Sequence, residues 1–318
     1  MSDDVHAAPL SDDATQVTVA GRSPWELAWL RLRKDKTAIA SAVVIVILVI
    51  LAIGAPLIAH LVGHGPNTQY PLTGLSPAGL PLGPNSQFLF GTDDLGRDIL
   101  VRTVYGARVS LLVGIIASVS AMVIGTAIGL VAGFVGGIID TLLSRFMDVI
   151  LSFPFLLAAI ALVSVVGPSL LVTIAVIAFF SWASVGRIVR GLTLSIREKE
   201  YIEAARAVGQ SNFRLMYAEV LPNLVAPILV YTTLLIPAAI SFEATLSFLG
   251  LGVVPPQASW GDMLATGVQY YQQAWWYITF PAIALLITTV SFNLLGDSLR
   301  DALDPRGERL LAAMRKKR

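Results

Sequence analysis

Three groups of residues in this chain have types and spacings that invite a chemical reading. Glu203-Ala204-Ala205, then Gly209, then Leu221-Pro222 lie in a polar stretch between two apolar runs. A charged connection that opens on Glu-Ala-Ala, breaks at a glycine and closes on Leu-Pro is more than a bilayer requires. It reads as a docking handle for a soluble partner, with a solvated amphipathic loop as the plain alternative. His60 and His64, four residues apart, could face one side of a helix as two metal ligands, yet no carboxylate or thiol stands near as a third. Glu243, an ionisable group near the end of an apolar run, is a candidate for a transport path. The alternative is a carboxylate that has reached the interface or bonds backbone amides of the next turn. No nucleophile, base and acid group together. Cysteine is absent, which excludes disulfides, thiolate metal sites and thiol nucleophiles. None of the five lysines (Lys34, Lys36, Lys199, Lys316, Lys317) follows a glycine, so no phosphate-cradling Gly-Lys-Ser/Thr loop is encoded. The chain is therefore expected to bind no cofactor and to hydrolyse no nucleotide itself.

The elements that must carry these residues are membrane spans. Of 318 positions 55% are hydrophobic and 14% charged, where a soluble domain carries roughly a quarter charged; mean hydropathy is +0.74. Six apolar stretches are long enough to cross as helices, near 38–62, 110–135, 146–166, 169–186, 223–245 and 276–296. Helices are required because backbone polar groups in lipid must be satisfied within the segment. Gly167-Pro168 alone separates the third span from the fourth, which predicts a tight helical hairpin. The first 25 residues are polar and acidic and predict a disordered tail with no signal peptide.

Charge placement sets the expected orientation. Nineteen of the 22 lysines and arginines fall on one side, leaving Arg97, Arg102 and Arg108 on the other. The positive-inside rule then puts both termini and the 187–222 loop in the cytoplasm. The net charge of +1 carries no implication of nucleic-acid binding. The chain divides into a tail (1–25), a first span with an external loop (26–109), a five-span core (110–297) and a C-terminal tail (298–318).

The spans differ in character. Val43 to Ile53 is a branched apolar run suited to facing lipid. The second span carries Ala117, Ala121, Gly125, Gly129, Gly133 and Gly137, each four apart, a stripe that admits a close neighbour within the subunit or from a partner. Pro154, Pro227, Pro237 and Pro281 each remove a backbone donor within a span and predict kinks. In the polar loop, 197–208 is rich in helix formers. Gly209 can take the left-handed conformation that ends a helix, and Ser211 or Asn212 can cap a second short helix that Pro222 separates from the fifth span.

The Glu203-Ala204-Ala205-x3-Gly209 run with Leu221-Pro222 resembles the EAA signature of ABC-importer permeases. The family usually has Ile-x-Leu-Pro after the glycine; here Glu219 stands in the Ile position and Val220 precedes Leu-Pro. Phe90-Gly91-Thr92-Asp93-Asp94-Leu95-Gly96-Arg97-Asp98 is similar to a motif of the C-type permease subunit of dipeptide and oligopeptide importers. So are Glu243-Ala244-Thr245-Leu246-Ser247-Phe248-Leu249-Gly250-Leu251-Gly252, with Pro255-Pro256 and Ser259-Trp260-Gly261 behind it, and Asn293-Leu294-Leu295-Gly296-Asp297 near the end. The likeness covers about residues 25–307.

That resemblance implies an all-α integral membrane protein with six spans and cytoplasmic coupling helices, resident in the cell membrane. It implies a second homologous permease, two ABC ATPase subunits that hold ATP and Mg, and an extracytoplasmic solute-binding lipoprotein. The loop residues Glu203, Ala204, Ala205, Arg206, Gly209, Arg214 and Pro222 would then couple to the ATPases. Candidates for the translocation path are Glu243, Asn293 and Tyr231, with Ser291 beside them; bridging between helices is the alternative for the last three. Trp260, Tyr270, Tyr271, Trp275 and Trp276 suit an aromatic belt at the outer interface. Trp260, Arg97 and Asp98 are candidates for docking the binding protein, although Arg97 and Asp98 could simply pair. The family also carries nickel, glutathione and other small solutes. A secondary transporter is a rival class, for which inverted repeats and several mid-membrane ionisable residues would be expected. The Pro-, Gly- and Leu-rich segment 60–89 has no legible shape.

Overall fold

The computed structural model describes residues 24–303; most of the expected 1–25 tail and the basic residues after 303 lie outside the described residues. Every regular element among the described residues is helical. Helix α1 (Pro24–Leu32) leads into α2 (Lys36–Ile53), which Asp35 caps by accepting from the Thr37 amide at 2.8 Å. The expected first span does not run unbroken to 62. Gly54 ends α2, and α3 (Ala55–Val62) starts anew, because Pro56 has no N–H to donate and its ring would meet the carbonyl one turn back. Only 17% of the α2 apolar window is buried, as its branched run predicts for a lipid-facing helix.

The second span starts eleven residues earlier than expected, as α4 (Ile99–Val135), capped by Asp98. At 37 residues it is about 55 Å long, against a hydrocarbon core of about 30 Å, so its first turns stand clear of the apolar layer. Gly136 and Gly137, both at positive φ, turn the chain into α5 (Gly137–Ser152).

The third span is the main departure. Instead of one helix over 146–166, α5 and α6 (Phe155–Val166) meet at an 85° bend. Pro154 stands at the bend and cannot continue the hydrogen-bond ladder of α5, so the chain restarts. Ion pairs from Asp140 to Arg190 and from Asp148 to Arg187 strap α5 to α7 (Leu170–Arg197). The connection through Gly167 and Pro168 is the expected tight one, and α6 packs back on α7.

The polar loop holds α8 (Glu200–Ala207) and α9 (Asn212–Arg214), followed by a π-helical turn over Leu215–Val220 and α10 (Leu221–Phe248). Then come α11 (Trp260–Gly267) and α12 (Trp275–Leu303). Five of these helices are long and apolar enough to cross, and the bent α5–α6 pair is the sixth candidate. One end of the bundle carries a cap built from residues 63–98 and 249–274; the other carries α1, α8 and α9.

The centre of the bundle is the α4–α7 pair, and the small-residue stripe brings it together. A Cβ built at Gly125 would lie 2.7 Å from the Trp182 carbonyl, and one at Gly133 2.8 Å from that of Arg190; at Gly129 the Gly186 carbonyl is closer still. The stripe therefore packs within the subunit, leaving only Gly137 out of contact. Gly129→Ala is expected to cost about 1–3 kcal/mol by overpacking, read as a lowered melting temperature in nanodiscs. Gly191→Ala, with open space around it, should change little, and equal shifts for the two would contradict the packing account.

Candidate functional site

The polar loop is a rigid two-helix element. Ile202 on α8 and Leu215 after α9 are fully buried against Phe134, Val189, Ile196, Val220 and Leu224, from α4, α7, the turn before α10 and the start of α10. The Arg206 guanidinium stands 5.9 Å from the Phe134 ring centroid, within cation–π range. Gly209 has φ +88°; its amide donates to the Arg206 carbonyl at 3.0 Å and the Gln210 amide donates to that of Ala205 at 3.2 Å. Those two bonds are the Schellman arrangement, which satisfies the last carbonyls of α8 and needs a left-handed residue at this position. The Ser211 hydroxyl then caps α9 by accepting from the Arg214 amide at 3.4 Å. Of the two capping candidates, the structure uses Ser211.

Pro222 does not separate the loop from the fifth span. The chain runs on helically from Asn212 through Phe248. The π turn explains this: the Leu221 amide donates to Met216 five residues back, and the wider turn makes room for a proline ring. Pro222 follows directly on that turn, where the shifted hydrogen-bond register accommodates its missing N–H.

With its anchors buried, the loop turns a mixed surface outward. Glu203, Ala204, Arg206 and Arg214 are exposed and Ala205 is half-buried. Val208, Phe213 and Tyr217 are 85%, 75% and 67% exposed. Apolar side chains held this far out on an anchored polar connection are free to meet another surface.

Glu243 is enclosed within the chain, in the seam between α4 and α10. It accepts hydrogen bonds from the Ser110 and Ser247 hydroxyls, both at 2.7 Å. It bonds hydroxyls, not the amides of the next turn, and it is fully buried here and does not reach an open face. Tyr231 and Asn293 are exposed, and among the described residues neither side chain makes a hydrogen bond to another helix; Ser291 is buried. Tyr231 lines a cavity of about 240 Å³ near the loop end with Pro227, Leu234 and Arg300.

At the cap end the three docking candidates are all buried. Arg97 donates through Nε to Asp93 at 2.6 Å and does not pair with Asp98. Asp98 caps α4 and meets His64 Nδ1 at 2.6 Å. Trp260 is fully buried and donates through Nε1 to the Thr103 carbonyl at 3.0 Å. Their role is internal: they pin the cap to the top of α4. His64 also packs on Phe88 and Tyr70, while His60 is exposed, so the two histidines diverge. Of the aromatic belt, Trp276 is buried with Trp260, leaving Tyr271 and Trp275 exposed and Tyr270 half-buried.

A charge cluster ties this cap together, and its long-range members were not legible from spacing. Arg102 Nε lies 3.4 Å from Asp93, an ion pair without hydrogen-bond alignment, and its Nη2 lies 3.8 Å from Asp262 on α11. Arg97 is also 3.9 Å from Asp94, which accepts from the Tyr277 hydroxyl at 3.0 Å. Burial pushes the Asp93 and Asp262 carboxyls above the usual carboxylate range, with Arg97 and Arg102 pulling Asp93 back down and Arg102 chiefly doing so for Asp262. The one local clue was Asp93 four residues before Arg97. The segment 60–89 is held to this cluster through Thr92, whose hydroxyl donates to the Gly74 carbonyl and accepts from the Leu82 amide.

Comparison with known proteins agrees with this architecture. Residues 125–309 match the family described as binding-protein-dependent transport system inner membrane component. Residues 23–77 match the N-terminal TM domain of oligopeptide transport permease C. The chain is 42% identical over 306 residues, covering 96% of both proteins, to the dipeptide transport system permease protein DppC of Alkalihalophilus pseudofirmus. It is 38% identical to the di/tripeptide permease protein DppC of Pseudomonas aeruginosa, covering 95% of this chain and 97% of that one. To the oligopeptide permease protein OppC of Escherichia coli K12 it is 41% identical, covering 93% and 96%. With more than half of its length matched by the family and near-complete relatives on either side, the chain belongs to the inner-membrane components of binding-protein-dependent transport systems, the permease subunits of ABC importers.

Proposed function

We propose that the chain is the permease subunit of an ATP-driven importer for di- and oligopeptides. It forms the translocation path with a second homologous permease. Two ABC ATPases, which hold ATP and Mg, dock on the α8–α9 element, and an extracytoplasmic lipoprotein delivers the solute. Both termini and the loop end are cytoplasmic. The observation that carries this reading is the exposed surface of α8, α9 and the turns beside them: Val208, Phe213 and Tyr217 together with Glu203, Arg206 and Arg214, on an element locked to the core by Ile202 and Leu215. Closure of the ATPases on ATP would displace α8 and α9 as a unit. Because their anchors pack on α4, α7 and α10, the displacement passes into the spans and shifts the population between two packings.

The test is uptake of a labelled dipeptide by the complete importer in proteoliposomes. Uptake that requires ATP and the binding protein is expected. Uptake driven by an ion gradient without ATP would instead point to a secondary transporter. Within the same assay, Glu203→Lys should lower uptake about tenfold, the effect of replacing a rim ion pair by like charges. Unchanged uptake would remove Glu203 from the coupling surface.

A further inference from the structure

At the cap end, two of the three arginines are buried and neutralised within the chain, Arg97 by Asp93 and Arg102 by Asp93 and Asp262. Arg108 differs. It lies on α4 six residues beyond Arg102, is exposed, and among the described residues has no ion pair or side-chain hydrogen bond. The acids of this end are already engaged: Asp93 and Asp262 by the arginines, Asp94 by Tyr277, Asp98 by His64 and Glu243 by two serines.

Arg108 also lines a cavity of about 330 Å³. Asn67, Tyr105 and Gln257 are its neutral polar lining, and Val109, Leu112 and Leu170 are among its apolar lining. Small-molecule sites run from about 300 to 1,000 Å³, so this one has room for the end of a peptide and not for a long one. Its composition, one cation and three neutral hydrogen-bonding side chains beside apolar ones, suits a carboxylate attached to a variable apolar group. A guanidinium offers two parallel N–H donors that match a carboxylate, which an ammonium does not.

We infer that Arg108 receives the C-terminal carboxylate of a peptide at the cap-end mouth of the path. The inference rests on the peptide-importer reading above. Peptides of different sequence share little beyond their backbone and termini, so a cation that reads the terminus and an apolar wall that tolerates the side chain would serve a carrier of mixed peptides.

The experiment uses the complete importer in proteoliposomes, with binding protein saturated by labelled trialanine or by its C-terminal amide, the affinity of the binding protein for each measured separately. Arg108→Gln is expected to lower trialanine uptake about tenfold, the scale of one charge-assisted hydrogen bond, while amide uptake stays within about twofold of wild type. Arg108→Lys should recover part of the loss. Equal loss for both peptides would overturn the inference, because it would mark a role in anchoring or assembly; so would no loss for either. Should the wild-type importer accept the acid and refuse the amide, Arg108→Cys decides, since the chain has no other cysteine. Uptake restored by a trimethylammonium-ethyl thiosulfonate and not by its sulfonate counterpart supports the inference, against a treated wild-type control. Restoration by both or neither overturns it. A wild-type importer that carries neither peptide instead defeats the peptide reading, and the inference with it, a failure visible before any variant is made.

Discussion

Gly209→Val is expected to leave the chain inserted and assembled while abolishing uptake. Gly209 holds φ +88° between α8 and α9, and no heavy atom lies within 4 Å of a Cβ built on it. Crowding therefore plays no part, and the whole effect is conformational. A residue with a Cβ pays roughly 1–2 kcal/mol in the left-handed region, and a β-branched one is a stronger outlier there. Valine would relax by leaving that region. The amides of Gly209 and Gln210 would lose their bonds to α8, and the chain would enter α9 in a different direction. Phe213 and Arg214 would then be displaced relative to Glu203 and Arg206 on α8. The variant should accumulate in the membrane at the wild-type level, measured by quantitative immunoblot, with solute uptake near background. Gly209→Ala should give an intermediate loss. Full uptake by the valine variant would show that the turn is dispensable.

The second large effect belongs to the opposite end. Asp93→Ala leaves Arg97 and Arg102 buried together without the carboxylate both of them face. Removing one partner of a buried ion pair costs about 3–5 kcal/mol, because the remaining charge stays desolvated and unpaired. Asp262 remains near Arg102 at 3.8 Å, and at that distance it compensates only in part. The cap residues 63–98 and α11 should loosen first, since Asp93 also accepts from the Arg97 and Leu95 amides within the 93–97 turn. Thermal unfolding in nanodiscs measures this, with Arg145→Ala as the control: its pair with Asp148 is 80% exposed on the arginine side, and such surface pairs are worth about 0–1 kcal/mol. Similar melting temperatures for the two variants would contradict the account of the cluster.

Much of the bundle was legible because its signals are local. Apolar length marks the spans, and the spacing of Gly125, Gly129 and Gly133 announces a close neighbour, which the structure shows to be α7. Gly209 and Ser211 end and restart helices through bonds to residues three to five away. What escaped depends either on competition between local rules or on contacts far apart in sequence. Apolar length argued for one helix over 38–62 and another over 146–166, but the backbone breaks beside Pro56 and Pro154. At Pro222 the proline lost, because a π turn before it accommodates the ring. The cap was hidden for the second reason. Nothing near Asp93 in sequence announces Asp262, and nothing near Glu243 announces Ser110. Arg97, Asp98 and Trp260 looked like surface residues of an external loop, and became internal once that loop folded back on α4 and α12.

The claim on which the functional account turns is that ATPase subunits dock on the α8–α9 face. The most direct measurement is photocrosslinking from Val208→Cys carrying a benzophenone, in native membranes, in a chain with no other cysteine to label. Leu72→Cys, at a position 95% exposed on the opposite end, serves as the control. A crosslink from position 208 to a nucleotide-binding subunit is expected, strengthened or weakened by ATP, with none to that subunit from position 72. Crosslinks from position 208 to lipid alone, with no ATPase recovered under any nucleotide condition, would contradict docking on this face.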